Sequence, residues 1–119
     1  MNEINKVIAG NIRHYMYLNN LAINQLADFL KLQILDLKAK LESETDFTLV
    51  ELHRVESLFS IDLKDLLEPN VTLHTDRFNI IQLGDLENED RQAIASFNKI
   101  IKNYKKMKKI ASDHNLLNI

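Results

Sequence analysis

The spacing of hydrophobic residues predicts helices along the first 68 residues. Apolar side chains recur at intervals of one, three and four between residues 4 and 16, which is typical of one buried helix face. Asn19 and Asn20 follow this segment as a turn pair. Two short helical segments come next, at about 23–30 and 33–41, with three residues or fewer between them. The pattern therefore predicts three closely connected helices.

Two further helices complete this unit. Thr45 or Asp46 is expected to cap a fourth helix, and Asp62 is expected to cap a short fifth one. The buried stripe of the fourth helix is predicted to contain Leu49, Val50, Leu52, Val55, Leu58 and Phe59. Pro69 ends the unit, because proline cannot continue a helix. The first 68 residues are thus predicted to form an all-α domain of five helices.

The hydrophobic pattern of residues 69–85 is not helical. Alternating and β-compatible apolar residues occur here, at 71–74 and 78–83. We expect an extended connector with room for one or two short strands.

The segment after the connector has the clearest periodicity in the chain. A seven-residue repeat, with successive spacings of four and three, runs through Leu86, Asp90, Ala93, Phe97, Ile100, Tyr104, Met107 and Ala111. This repeat is typical of a helix that packs along another helix. Acidic residues lie in the first turns of this segment and lysines in its last turns, a polarity that complements the helix dipole. A single long helix near 86–111 is predicted, about 39 Å long at about 1.5 Å per residue.

Residues 86–119 are therefore predicted to be a dimerisation helix with a short tail. The expected contact residues are Ala93, Ile94, Phe97, Ile100, Ile101, Tyr104 and Met107. The alternative is that the same stripe folds back onto its own domain and leaves a monomer.

Composition narrows the class of protein. The chain has 119 residues, 45% of them hydrophobic and 27% charged, as in ordinary soluble domains. The chain contains no cysteine, so disulfides and thiolate metal sites are excluded. No run approaches the 18 or so apolar residues of a membrane span. We expect a cytoplasmic protein that does not enter a membrane.

The charge is unevenly distributed. Residues 1–68 contain seven Lys and Arg against eleven Asp and Glu, a net −4, and residues 69–119 contain eight against six, a net +2. DNA-binding domains usually present a basic face, because phosphate neutralisation supplies much of their affinity. Arg13, Lys31, Lys38 and Lys40 lie at or before the end of the third predicted helix. The sequence thus permits a local basic patch.

The order of these short helices, with Leu26-Ala27 in the second, resembles the Cro/repressor (XRE) family of helix-turn-helix DNA-binding proteins. The match covers Leu26, Ala27, Leu30, the turn residue Leu32 and the inward Leu37. Lys31 stands where the family usually has glycine, and Leu37 and Leu41 form the buried pair of the third helix. The resemblance implies a lambda-repressor-like domain and a sequence-specific transcriptional regulator, of the repressor type and of bacterial, phage or mobile-element origin. It also implies operator binding as a homodimer.

The same resemblance implies a set of DNA-contacting residues. They are Asn24, Lys31, Gln33, Ile34, Lys38 and Lys40. Gln33 can pair with adenine, Lys38 can reach guanine or phosphate, and Ile34 or Leu35 can contact a thymine methyl group. The alternative is that Gln33 caps or solvates the turn while Ile34 and Leu35 pack inward.

A second function class remains open. The same scaffold can bind another protein instead of DNA, as an inhibitor or antirepressor does, and exposed Ile34 and Leu35 would suit that role. Enzymatic activity has no support in the sequence. The four histidines form no i, i+4 pair, and glycine occurs only at 10 and 84, which excludes a glycine-rich phosphate loop. No cofactor or metal is expected.

Overall fold

The computed structural model describes residues 3–68 and 82–113. These residues form helices and turns without a strand, which confirms the all-α prediction. The helices are α1 (Glu3–Leu18), α2 (Ile23–Leu30), α3 (Ile34–Leu41), α4 (Leu49–Phe59), α5 (Leu63–Leu67) and α6 (Asn88–Asp113), with a 3-10 turn at Leu83–Asp85. Most of the predicted connector, residues 69–81, lies outside the described ranges, as do residues 114–119 of the predicted tail.

The first five helices enclose one hydrophobic core. Helix α1 packs against α3 and α5, α2 packs against α3, and α4 packs against α5. The largest fully buried side chains come from all five helices and are Ile12, Leu26, Phe29, Leu37, Val55, Leu58 and Leu66. Each of these residues lies on the apolar face that the sequence pattern indicates. The predicted stripe of α4 is wrong at its start, because Leu49 and Val50 are 60% and 68% exposed in the first turn of the helix, while Leu52, Val55, Leu58 and Phe59 are buried as predicted.

The start of α4 differs from the prediction. Thr48, rather than Thr45 or Asp46, is the N-cap: the Glu51 N–H donates to Thr48 Oγ1 at 3.1 Å, and the Thr48 N–H donates to Glu51 Oε1 at 2.9 Å. This reciprocal capping box satisfies two backbone donors at once. The cap of α5 is Asp62, as predicted, and the Asp62 N–H donates to Asp65 Oδ2 at 2.9 Å.

The end of the predicted connector is folded rather than extended. The Gly84 N–H donates to Asn19 O at 3.0 Å, and Gln25 Nε2 donates to Gly84 O at 2.9 Å. These bonds hold the 3-10 turn against the turn between α1 and α2. Helix α6 consequently begins at Asn88, two residues later than the periodicity indicates.

Helix α6 returns to the domain and packs against α4 and α2. The packed side is mainly polar, and its side chains donate to backbone carbonyls near the ends of other helices. Gln92 Nε2 donates to Phe29 O at 2.9 Å, and Asn98 Nδ2 donates to Ser57 O at 2.8 Å. Carbonyls in the last turn of a helix have no intrahelical partner, so these bonds supply one.

A charged cluster completes this contact. Lys102 Nζ lies 2.9 Å from Oε2 of the buried Glu56 and 2.8 Å from Asp62 Oδ1. His53 Nδ1 lies 2.8 Å from the other oxygen of Glu56. Burial alone would lower the pKa of Lys102, but the carboxylates of Asp62 and Glu56 outweigh burial and raise it. The cluster joins α6 to α4 and to the start of α5.

The predicted stripe of α6 is not the side that packs on the domain. Phe97, Ile100, Tyr104 and Met107 are 61–69% exposed, and Ala93 is also exposed. Ile101 lies at the edge of the stripe, and Ile94 is half-buried against the domain core. The alternative in which this stripe folds back onto its own domain is wrong, because the opposite side of the helix makes that contact. None of the helices in the described ranges combines the length and the apolar character that crossing a membrane requires.

Gly84 provides a test of the contact between the 3-10 turn and the α1–α2 turn. A Cβ atom on residue 84 would lie 1.7 Å from Asn20 O, which is backbone and cannot rotate away. We expect Gly84→Ala to lower the free energy of unfolding by about 1–3 kcal/mol, as overpacking typically does. Urea denaturation followed by circular dichroism measures this change.

Gly10→Ala is the matched control. Gly10 lies within α1, and a Cβ there would have no neighbour within 4 Å. This substitution should stabilise the protein by about 0.5–1 kcal/mol, because alanine favours helix interiors. Equal effects of the two substitutions would contradict the described packing of Gly84.

Candidate nucleic-acid interface

Helices α2 and α3, each of eight residues, are joined by the three residues 31–33 and pack against each other. Lys31 ends α2 in the left-handed conformation, with φ of 60°. The following N–H, of Leu32, donates to Ala27 O at 2.9 Å and closes the turn. Glycine adopts this left-handed conformation without steric cost. For lysine it costs about 1–2 kcal/mol. The turn therefore retains the geometry that glycine usually provides.

The outer side of α3 is open to solvent. Gln33 is the N-cap, but its side chain makes no capping bond. Ile34 is 49% exposed and Leu35 is 76% exposed, while Leu37 and Leu41 occupy the core. The alternative is therefore wrong for Ile34 and Leu35, which do not pack inward, whereas Gln33 is solvated at the turn as that alternative allows. We call Gln33, Ile34, Leu35 and Lys38 the α3 surface.

Other predicted DNA-contacting residues lie on the pair of helices α2 and α3 and on the turn between them, which we call the α2–α3 motif. Asn24 in α2 and Lys31 in the turn are exposed, as is Lys38. Within the described ranges, no hydrogen bond or ion pair engages the side chains of Asn24, Lys31, Gln33 or Lys38. These polar groups are available to bind a partner without first breaking an internal contact.

Lys40 behaves differently from the other predicted contacts. Its ammonium group lies 2.5 Å from Glu51 Oε1, and its side chain is only 13% exposed. It also lies over the Phe47 ring, 5.8 Å from the centroid. Lys40 therefore joins the end of α3 to the start of α4, and we leave it out of the α3 surface.

The charge around the α3 surface is nearly balanced. Lys31 and Lys38 are exposed, but so are Asp28 in α2 and Asp36 in the first turn of α3. Arg13, on α1, is exposed as well. The surface is thus a mixed one, with two apolar side chains among charges of both signs. Its chemistry suits direct contacts more than long-range attraction to phosphate.

A second feature, a groove of about 680 Å³ between α4 and α6, was not predicted from the sequence. Phe29 and Ala95 supply apolar lining, and Arg54 lies over the Phe29 ring at 5.4 Å. Lys99 and Lys106 line the groove and have no carboxylate partner in the described part of the chain. In the sequence, the groove is indicated only by the spacing of seven residues between Lys99 and Lys106, which places both lysines on one side of a helix. The groove is cationic, because Arg54, Lys99, Lys102 and Lys106 line it against the single carboxylate of Glu56.

No group of three His, Asp or Glu side chains in the described ranges is placed to hold a metal ion. Comparisons with protein-family models, with curated proteins and with solved structures find no match to this chain. The exposed features of this chain that suit a partner are the α3 surface and the apolar side of α6.

The Lys40–Glu51 pair predicts a pH-dependent contribution to stability. Burial alone would raise the pKa of Glu51, but the hydrogen bonds from Lys40 and Thr48 outweigh it and hold the pKa below its ordinary value of 4.5. A carboxyl group with a lowered pKa stabilises the fold above its unfolded-state pKa, and this stability is lost as the pH falls through the folded-state pKa. Glu51→Gln keeps a side chain that can cap α4 but removes the charge.

We expect Glu51→Gln to cost about 0.5–1.5 kcal/mol at pH 7. The difference from the unmodified protein should shrink as the pH falls below about 4.5. Urea denaturation at pH 7 and at pH 3.5 measures both values. Glu44→Gln, at an exposed position, is the control and should have little effect at either pH. A cost for Glu51→Gln that is the same at both pH values would refute the proposed charge contribution.

Proposed function

We propose that this protein is a sequence-specific DNA-binding regulator, of the repressor type, that binds operator DNA as a homodimer. The observation that carries the proposal is the position of α3. Leu37 and Leu41 anchor the helix in the core, while Gln33, Leu35 and Lys38 project from its outer side. A short helix held in this way and open at its N-terminal end can enter the major groove of DNA. A regulator of bacterial or phage type binds DNA in the cytoplasm, so we propose a cytoplasmic location.

Each exposed side chain has a defined task in this proposal. Gln33 can form two hydrogen bonds with adenine, and Leu35 can contact the methyl group of thymine. Lys38 reaches a guanine or a phosphate, while Asn24 and Lys31 bind phosphates beside the groove. Because few cations take part, we expect the affinity to depend less steeply on salt than it does for strongly basic DNA-binding domains.

The exposed stripe of α6 supports the homodimer. Four large apolar side chains, those of Phe97, Ile100, Tyr104 and Met107, lie in solvent along one side of the helix. A contiguous apolar strip of this kind is typical of an association surface. Association of two chains would bring two copies of α3 to one DNA duplex and so add their contacts.

The second candidate is a protein-binding regulator that does not read DNA. The exposure of Ile34 and Leu35 favours it, because two adjacent apolar side chains suit a protein contact. Asp28 and Asp36 nearby would also repel phosphate. The two candidates share the α3 surface and differ in what that surface binds.

DNA binding can be tested by selection from a library of random-sequence duplexes at low salt. We expect the unmodified protein to enrich one sequence, and Gln33→Ala to lose about 1–3 kcal/mol of discrimination at a single base pair. Lys38→Ala should weaken binding to all sequences and reduce the salt dependence if Lys38 contacts a phosphate.

Lys64→Ala is the control, because Lys64 is an exposed lysine on α5 and belongs to neither α2 nor α3. It removes the same charge and should leave the selected sequence and the affinity nearly unchanged. Failure to retain any duplex at low salt would refute DNA binding. Capture of a protein that Leu35→Ser abolishes would then support the second candidate.

The dimer can be tested by sedimentation at tens of micromolar. We expect the unmodified chain to be dimeric, and Phe97→Asp combined with Ile101→Asp to be monomeric, since burial of two carboxylates in an apolar contact is unfavourable. The helical content should be unchanged, because Phe97 does not pack on its own domain. A monomeric unmodified protein would contradict this part of the proposal.

A further inference from the structure

The two sides of α6 have separate roles. Arg91, Ala95 and Asn98 lie on the side that packs on the domain, and Lys102 continues that side. The opposite side of the helix carries a stripe that we call the α6 seam: Ala93, Phe97, Ile100, Tyr104 and Met107. A rotation of about 100° per residue places these five residues on that side. A partner on the seam therefore does not collide with the domain of the same chain.

Charge is distributed unevenly along α6. Glu87 directly precedes α6, Glu89 and Asp90 lie in its first turn, and the next acidic residue is Asp113. Six lysines lie between residues 99 and 109. A parallel pair of such helices would place acidic ends together and lysine-rich ends together. An antiparallel pair places each acidic end beside a lysine-rich end, and it also opposes the helix dipoles favourably.

We propose that the α6 seam packs antiparallel against the α6 seam of a second copy, with the two-fold axis between Asn98 and Lys99. This inference rests on the homodimer of the proposed function and adds its orientation and register. In this register Phe97 lies opposite Ile100 of the second copy, and Ala93 lies opposite Tyr104 of the second copy. A small residue thus faces the largest one in the seam, as interdigitated packing requires.

The positions beside the seam fit the same register. These side positions are displaced by two residues, about 3 Å along the helix axes, from direct opposition. With that displacement, Glu87 lies near Lys108 of the second copy, and Ile94 lies near Ile101 of the second copy. Glu87 and Lys108 are exposed, and neither has an ion-pair partner within the part of the chain that the structure describes. The symmetry repeats each contact, so two ion pairs flank a central apolar section.

The packing of α6 on its own domain is compatible with this arrangement. Each domain lies on the outer side of the helix pair, because its contact uses the side of α6 opposite the seam. The overlap from residue 90 to residue 107 spans about 27 Å of helix at about 1.5 Å per residue. A contact of this length, with eight large apolar side chains from two copies, is typical of a stable helix pair.

The orientation can be measured with one spin label per chain, because the protein has no cysteine. The full-length Lys109→Cys variant, labelled with a nitroxide, is examined by double electron–electron resonance. In the proposed register the two labels lie about 30 Å apart along the helix axes. In a parallel pair they would face each other at the interaxial distance of about 8–10 Å plus the label arms. A distance near 30 Å or longer is expected, and one under about 20 Å would overturn the antiparallel orientation.

A charge exchange tests the register independently. Glu87→Lys and Lys108→Glu should each raise the dissociation constant of the dimer by roughly three- to tenfold, and the double variant should restore it. Lys109→Glu is the control, since it makes the same charge change one residue away on the side remote from the seam. Absence of rescue in the double variant would overturn the proposed pairing of residues 87 and 108.

The outcomes separate this inference from the proposed function. A parallel or shifted dimer that still binds the selected duplex overturns the register and leaves the regulator intact. An antiparallel dimer that retains no duplex supports the register and refutes DNA binding. A monomer at tens of micromolar overturns the register and the homodimer together.

Discussion

The backbone carbonyls at the ends of short helices require hydrogen-bond donors, and α6 provides several of them. Gln92 donates to Phe29 O in the last turn of α2, Asn98 donates to Ser57 O in the last turn of α4, and Lys102 donates to Ile61 O just beyond α4. Short helices have a high proportion of such unpaired carbonyls. Because amides and ammonium groups satisfy them, α6 packs on the domain mainly through polar side chains. This requirement explains the orientation of the last helix.

That orientation leaves the apolar side of α6 in solvent. If the domain had bound α6 through Phe97 and Tyr104, no seam would remain for another chain. The same contact ties α6 to α2, the first helix of the α2–α3 motif, through the bond between Gln92 and Phe29. The α6 seam is therefore connected to α3 through only one further helix, α2.

Internal ion pairs determine which cations remain for binding. Lys40 is held by Glu51, and Lys102 is held by Glu56 and Asp62. Removal of either lysine would leave a carboxylate with little solvent around it, which is costly. These residues thus serve stability, and the exposed Lys31 and Lys38 remain for a partner. Counting the basic residues in the sequence cannot separate these two groups.

Hydrophobic periodicity determines much of this fold locally. The helices of residues 3–67, the buried pair of Leu37 and Leu41, and the long last helix all follow from spacings of three and four, because such spacings place apolar residues on one side of a helix. Exposure of Gln33 and Lys38 follows from the same pattern.

The tertiary structure decided the features that the spacing of apolar residues does not encode. The cap at Thr48 and the turn at Gly84 depend on neighbouring backbone, and the pairing of Lys40 depends on α4. For α6, periodicity identified the apolar stripe. Only the packing showed that the polar side contacts the domain, because the spacing of residues in the sequence does not show where the carbonyls at the ends of other helices lie.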